Sequence, residues 1–341
     1  MQQSTVRKGV ARFASLRLTV AAMAALFASV FLACALDRVD KGWIVPPLVV
    51  LAVNLCAAVT VNRRIRDSAG LIVFHVALLA ICLLAGVGVL TRMHGRIEMV
   101  EGTTFDPGEV QIIEQGLWHR WDAPSEAFVQ GLVEVDFASG LLRQQTRSRV
   151  GVRRDGNMHE TELSDTRPLK IAGYRFSPTS NKGYALLLTW RDETGAETTG
   201  AVHMPSYPAL EWKQEQGWRT PAGVEISFML KPPAQPLGDA NWTLRADGAA
   251  ANVTVVSQDR RTTLEPGEWL QLRGGSLRLE GVRLWLGYRI DHEPMTGWML
   301  LVAILGIAGL SLHFYRRFWS PATRARANEE GNNAHALVAR G

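Results

Sequence analysis

The sequence predicts a membrane protein with four transmembrane α-helices in a three-plus-one order and a large all-β extracytoplasmic domain inserted between helices three and four. Three observations carry this expectation. Residues 18–36, 43–61, 70–91 and 297–314 are nearly uncharged apolar runs of about twenty residues, the length that crosses ~30 Å of hydrocarbon as a helix. Residues 95–294 have an ordinary soluble composition with alternating, β-rich runs. The basic residues outside that region gather in alternate connections.

Taken in order, the N-terminal segment 1–17 carries Arg7, Lys8, Arg12 and Arg17. The loop after helix one is balanced, with Asp37 and Asp40 against Arg38 and Lys41. The loop after helix two carries Arg63, Arg64 and Arg66, and the tail 315–341 carries Arg316, Arg317, Arg324, Arg326 and Arg340. The positive-inside rule then puts both termini in the cytoplasm and residues 95–294 outside. The formal net charge of +5 reports this topology, because residues 95–294 hold more acidic than basic side chains. It therefore gives no reason to expect a nucleic-acid partner.

Helix one begins with basic residues, and "ACA" at 33–35 resembles a signal cleavage site. Its apolar region is longer than a signal core, so it is expected to be a membrane anchor. "FLAC" is a poor lipoprotein site because bulky Leu32 precedes the small residue. The three cysteines, Cys34, Cys56 and Cys82, fall one in each of the first three helices. No C-x-x-C or C-x-x-C-H exists, which excludes a thioredoxin-like pair and covalent haem attachment to this chain.

Strand-like runs in 95–294 include "RIEMV" at 96–100, "LVEVDF" at 132–137, "YALLLTW" at 184–190, "VEISFM" at 224–229, "NVTVV" at 252–256 and "SLRLEGVRLWLGYRI" at 276–290. Turn signals separate them at Asp155-Gly156, Thr194-Gly195, Asp247-Gly248 and Gly274-Gly275. "KPPAQPL" at 231–237 suits a join between two lobes. No H-E-x-x-H, G-x-S-x-G, phosphate loop or EF-hand loop occurs. His119, in "GLWHRW", is expected to be a half-buried imidazole on a β-domain surface rather than part of a ligand-contacting aromatic patch. His159 and His203 show no legible partner. The tail from Ser320 is small and polar and is expected to be disordered.

The chemistry-bearing residues lie in and beside the helices. His75, within "LIVFHVALLA", sits about five residues inside the cytoplasmic end of helix three, ~8 Å deep. An intramembrane ionisable group is costly and is read as functional, in preference to a neutral histidine bonded to a carbonyl or Ser/Thr of a neighbouring helix. Leu79, Cys82 and Gly86 follow on the same face, two of them small, so a flat ring or another helix can approach. Cys82 suits a small buried apolar residue better than a metal ligand. On helix four, His313 shares a side with Gly309, Gly306 and Val302, a pattern that plain helix packing explains as well. His94 and His292 stand at the outer ends of these helices, ~29 and ~32 Å from His75 and His313, about one bilayer. Two bis-imidazole haems would need histidines at two such depths. Interfacial histidines give the same spacing, and that account is preferred for the outer pair. No carboxylate lies inside a span, so a proton relay lacks a second member.

"SLRLTV" opening helix one, "LAVNLCAAVTVNRR" in helix two and "HVALLAICLLAGVGVLTRMHGRIEMVEGTTF" from helix three onward resemble the ResB (CcsB) family of cytochrome c biogenesis proteins. So do "TRPLKIAGYRFSPTS" at 166–180 and "DHEPMTGWMLLVAILGIAGLSLHFYRRFW" at 291–319. The matches run in order over nearly the whole chain. The resemblance implies a bacterial inner (cytoplasmic) membrane protein with a periplasmic domain. It implies work with a CcsA/ResC-type partner that moves haem b, held non-covalently, to the outer face, where it is joined to apocytochrome c. It assigns His75 as an axial ligand of the haem iron. The chain departs from the pattern in a compact outer domain, in Tyr315 where the family often has histidine, and in lacking a tryptophan-rich haem-presenting segment. At most, then, it is the haem-holding subunit of a synthase. Two other readings are a bis-histidine electron-transfer cytochrome, pairing His75 with His313 and His94 with His292, and a non-catalytic scaffold subunit.

Overall fold

The computed structural model describes residues 13–36, 40–121, 128–154, 156–208, 214–232, 240–246, 253–257 and 260–318. The tail from Ser320, the Asp247-Gly248 signal and most of "KPPAQPL" lie outside these residues. The chain forms two compact units. One comprises the described residues of Met1–Arg92, Gln115–Arg120 and Glu293–Gly341, the other those of Met93–Glu114 and Trp121–His292.

The first unit holds four helices long and apolar enough to cross a membrane. They are α1 (Leu16–Ala35), α2 (Val45–Val61), α3 (Ala69–Thr91) and α4 (Thr296–Phe318). A 3-10 turn, Lys41–Ile44, leads into α2, with Asp40 accepting from Gly42 N–H at 2.7 Å. Prolines at the start of α2 occupy positions where a helix needs no backbone donor. α4 extends beyond its apolar run to include Arg316 and Arg317, whose charges suit a helix C-terminus.

α3 packs against both α2 and α4, and α1 packs on α2. The α3–α4 contact is glycine-lined. A Cβ on Gly70 would lie 2.5 Å from Gly309 O, one on Gly309 would lie 2.8 Å from Val73 Cγ1, and one on Gly306 would lie 3.0 Å from Ala77 Cβ. Small residues let the two backbones approach where dispersion, not hydrophobic burial, drives association. α1 is held differently. Asn54, buried in α2, donates to Phe13 O at 2.6 Å and Ser15 O at 3.2 Å and accepts from Thr19 Oγ1 at 2.8 Å. It satisfies carbonyl and hydroxyl groups at the start of α1 that lipid cannot.

The second unit is all β apart from one 3-10 turn among the described residues. In chain order its strands are β1 (Met93–Val100), β2 (Gln111–Gln115), β3 (Phe128–Phe137), β4 (Arg143–Arg154), β5 (Asn157–Ser164), β6 (Leu169–Ile171), β7 (Tyr174–Asp192) and β8 (Glu197–Ser206). There follow β9 (Gln214–Arg219), β10 (Glu225–Leu230), β11 (Trp242–Leu244), β12 (Val253–Ser257), β13 (Arg260–Leu264), β14 (Trp269–Leu272) and β15 (Gly275–His292). The main sheet runs β2-β1-β15-β7-β6, with β14 also on β15 and β8 also on β7. Two four-stranded sheets run β13-β12-β10-β9 and β11-β3-β4-β5.

Burial alternates along β1, β3 and β10, the period-two pattern of strands with one face in a core. All three sheets contribute to one core, through Phe176 and Tyr288, Phe128 and Val150, and Phe228 and Val255. Phe128 stacks on Phe105 at 5.1 Å and meets Phe176 edge-on at 5.2 Å. Gly195, at φ 90, makes the β7–β8 turn, where Asp192 accepts from Thr194 and Ala196 N–H.

Candidate functional site

Ser68 caps the start of α3, its Oγ accepting from Leu71 N–H at 3.4 Å. One turn on, Leu71 O accepts the hydrogen bond of His75 Nδ1 at 2.8 Å. A carbonyl can only accept, so Nδ1 carries the ring proton. In the neutral form of the ring this leaves the lone pair on Nε2. This is how a metal-ligating histidine is commonly set, one nitrogen bonded to a carbonyl and the other directed at the metal. Phe74 meets the ring edge-on at 5.4 Å.

The face carrying His75 is turned away from α4. Gly70, Val73 and Ala77 form the α4 contact. His75 lies two residues from Val73 and two from Ala77, roughly 200° round the helix from each. Leu79, Cys82 and Gly86 share its side, and a Cβ placed on Gly86 would meet nothing within 4 Å.

His313 occupies the opposite interface. Its Nδ1 is hydrogen-bonded to Ser68 Oγ at 2.8 Å, and its backbone touches the space above Gly70. The glycine side of α4 is thus a packing surface, and His313 ties it to the start of α3. The structure does not bring His75 and His313 together, which removes that pair from the electron-transfer reading.

The outer pair also diverges. β1 and β15 pair with His94 opposite Asp291 and Met93 opposite His292. Opposed residues share a sheet face and successive residues alternate, so His94 and His292 project from opposite faces. His94 Nδ1 donates to Asp291 Oδ1 at 2.9 Å, and Arg175 and Arg289 reach Oδ2 at 3.2 and 3.0 Å. Burial alone would raise the Asp291 carboxyl, but these donors and the Arg289 charge outweigh it and hold it below the ordinary carboxylate range. His292 bonds instead to Gly173 O at 3.2 Å and lies against Tyr174 at 4.9 Å. Both act as members of a strand pair, and they cannot face one flat ring. Among the described residues no group of three or more His, Cys, Asp or Glu could hold a metal ion.

Three features were not legible in the sequence as site or anchor residues. Asn54 ties α1 to α2, though its polarity inside an apolar run was a visible signal. His203 stacks on Trp285 at 5.5 Å and bonds to Glu98 Oε2 at 3.1 Å, across strands far apart in the chain. His119 is buried, and it belongs to the helical unit rather than to a β surface.

The model of the ResB-like family matches residues 62–340. No curated protein matches the chain significantly. A solved structure described as cytochrome c heme lyase CcmF is similar over 90% of this chain and 35% of that one, at 10% identity and a TM-score of 0.30. The chain therefore spans roughly a third of that protein's length.

Proposed function

The chain belongs to the ResB-like family, and from that premise we propose that it is a membrane subunit of a cytochrome c maturation complex, holding haem within the bilayer for transfer to apocytochrome c. Haem is cargo here, not a resident cofactor. The observation that carries the assignment is the hydrogen bond from His75 Nδ1 to Leu71 O, which leaves Nε2 free to ligate iron. The cytoplasmic segments are 1–17, the short helical turn Arg63–Arg66 and the tail, and the β unit is extracytoplasmic. The distribution of arginines supports that topology. His75 then lies near the inner face, where haem would enter.

The second axial ligand comes from a partner of the CcsA/ResC type. His75 faces away from α4, and His313 is engaged with Ser68, so neither α4 nor its histidine supplies an imidazole opposite it among the described residues. The residues of this chain position and shield haem, and the client's thiols are the nucleophiles that bond it.

Absorbance of the full chain, purified alone and with its partner, tests this. A haem Soret band is expected with the partner and is expected to be lost in His75→Ala but kept in His313→Ala. A full Soret band in His75→Ala would overturn the ligand assignment. Normal covalent cytochromes in cells lacking the gene would overturn the maturation role.

A further inference from the structure

α3 ends against a turn from elsewhere in the chain. Gln115–Arg120 belongs to the helical unit, and its backbone closes the helix. Trp118 N–H donates to Leu90 O at 2.8 Å, and Gly116 N–H donates to Arg92 O at 2.9 Å. His119 Nδ1 donates to Thr91 O at 3.1 Å. These carbonyls lie at the helix terminus, where no intrahelical donor remains. In an apolar helix that ends near lipid, leaving them bare is costly. The turn is itself fixed, by Gln115 Nε2 donating to His119 O at 2.8 Å and His119 N–H to Gly116 O at 3.0 Å. Glycine is required at 116, because a Cβ there would collide with Leu90 O and Val89 O.

A polar turn would cap the helix equally well. This one displays Leu117 at 86% exposure and Trp118 at 61%, followed by exposed Arg120. With the four helices as successive spans, the α1–α2 turn, the end of α3 and the start of α4 lie at one end of the set. That end also carries Trp43, 68% exposed, and Trp298, 60% exposed, and the Trp43 turn packs against α3. Tryptophans gathered at the ends of apolar helices form the belt found where headgroups meet acyl chains. Arginine beside them suits lipid phosphate.

We propose that Gln115–Arg120 is a membrane-interface anchor, with Leu117 among the outer acyl chains and Trp118 at headgroup level beside Trp43 and Trp298. It rests on the reading of the four helices as membrane spans, and it makes the turn both a cap for α3 and a point of lipid attachment between β2 and β3.

The test uses the full chain, with Cys34, Cys56 and Cys82 replaced by Ala, in bilayers of phosphatidylethanolamine and phosphatidylglycerol. An environment-sensitive fluorophore is attached in turn to Leu117→Cys, Trp43→Cys, Trp298→Cys and, as the aqueous reference, Met158→Cys on β5. The Leu117 label is expected to emit blue-shifted and to be quenched by spin-labelled lipid, as at positions 43 and 298. Water-like emission quenched by aqueous iodide, as at position 158, would overturn the anchor. So would a blue shift without lipid quenching, which would mean a protein partner covers the turn. Water-like emission at positions 43 and 298 as well would overturn the membrane-span reading and the anchor together. Trp118→Phe gives a label-free check, since it is expected to reduce quenching of intrinsic fluorescence by brominated lipid.

Discussion

Lys182 shows how one side chain can work against its own fold. It is 5% exposed, with Nζ donating to Ser180 O at 3.0 Å and lying 5.3 Å over the Phe137 ring. Burial, aided by the nearby Arg143 charge, lowers its pKa from 10.5 to about 8. The unfolded chain therefore binds more protons between pH 8 and 10.5, and this group's contribution to stability rises with pH across that window. Below pH 8 the fold carries the full cost of a buried ammonium. Lys182→Met is expected to stabilise the protein at pH 7 by on the order of 1–3 kcal/mol, with the advantage shrinking as pH rises through 8 to 10.5. Thermal melts of the detergent-purified pair across that range measure it. Lysine in "SNKGY" gives no hint of this in sequence, because its burial depends on β3 and β7 folding together. His75 differs, since its oddity is local. An imidazole in an apolar run is visible at once, and so is the carbonyl four residues earlier that a helix brings to its ring.

At the scale of elements, the faces of α3 differ in what they meet. Gly70, Val73 and Ala77 meet α4, while His75 and the buried Gly86 lie away from that contact, and α2 packs on α3 as well. Substitutions on the two sides should separate. Gly70→Ala puts a methyl 2.5 Å from Gly309 O and is expected to lower stability by about 1–3 kcal/mol, seen as a lower Tm. Gly86→Leu is expected to leave Tm of the isolated chain nearly unchanged while reducing the haem recovered with the partner. Equal loss of Tm in both would mean the His75 side is also internal packing. The helices themselves were legible from length and hydropathy, and the strands from alternation, because both patterns repeat locally. The facing of His94 and His292 was not. It depends on a strand register, and a shift of one residue exchanges every side chain between faces. Nor could spacing alone reveal that "GLWHRW" closes the end of α3.

Across the whole molecule, the β unit is stitched by buried polar groups where its sheets meet. Glu101, 6% exposed, accepts from Val133 N–H of β3 at 2.7 Å and from Leu284 N–H of β15 at 3.0 Å. Nearby, Tyr288 donates to Gln130 Oε1 at 2.7 Å, and Gln130 donates to Ser148 Oγ at 2.6 Å. Glu101→Gln turns one acceptor into a donor facing an N–H, and is expected to cost about 2–3 kcal/mol. The loss should appear in β-unit melting, with the helical signal of the membrane unit retained. The β1–β15 pairing has a different consequence. The strand that leaves α3 and the strand that returns to α4 are hydrogen-bonded neighbours from Met93↔His292 onward, about 5 Å apart. The strands by which the chain first enters and finally leaves the β unit are thus neighbours, like the two arms of a long hairpin. Such an insert can grow, shrink or be exchanged at its far strands over evolutionary time without the helices having to be laid again. A compact β unit is a natural outcome of that freedom.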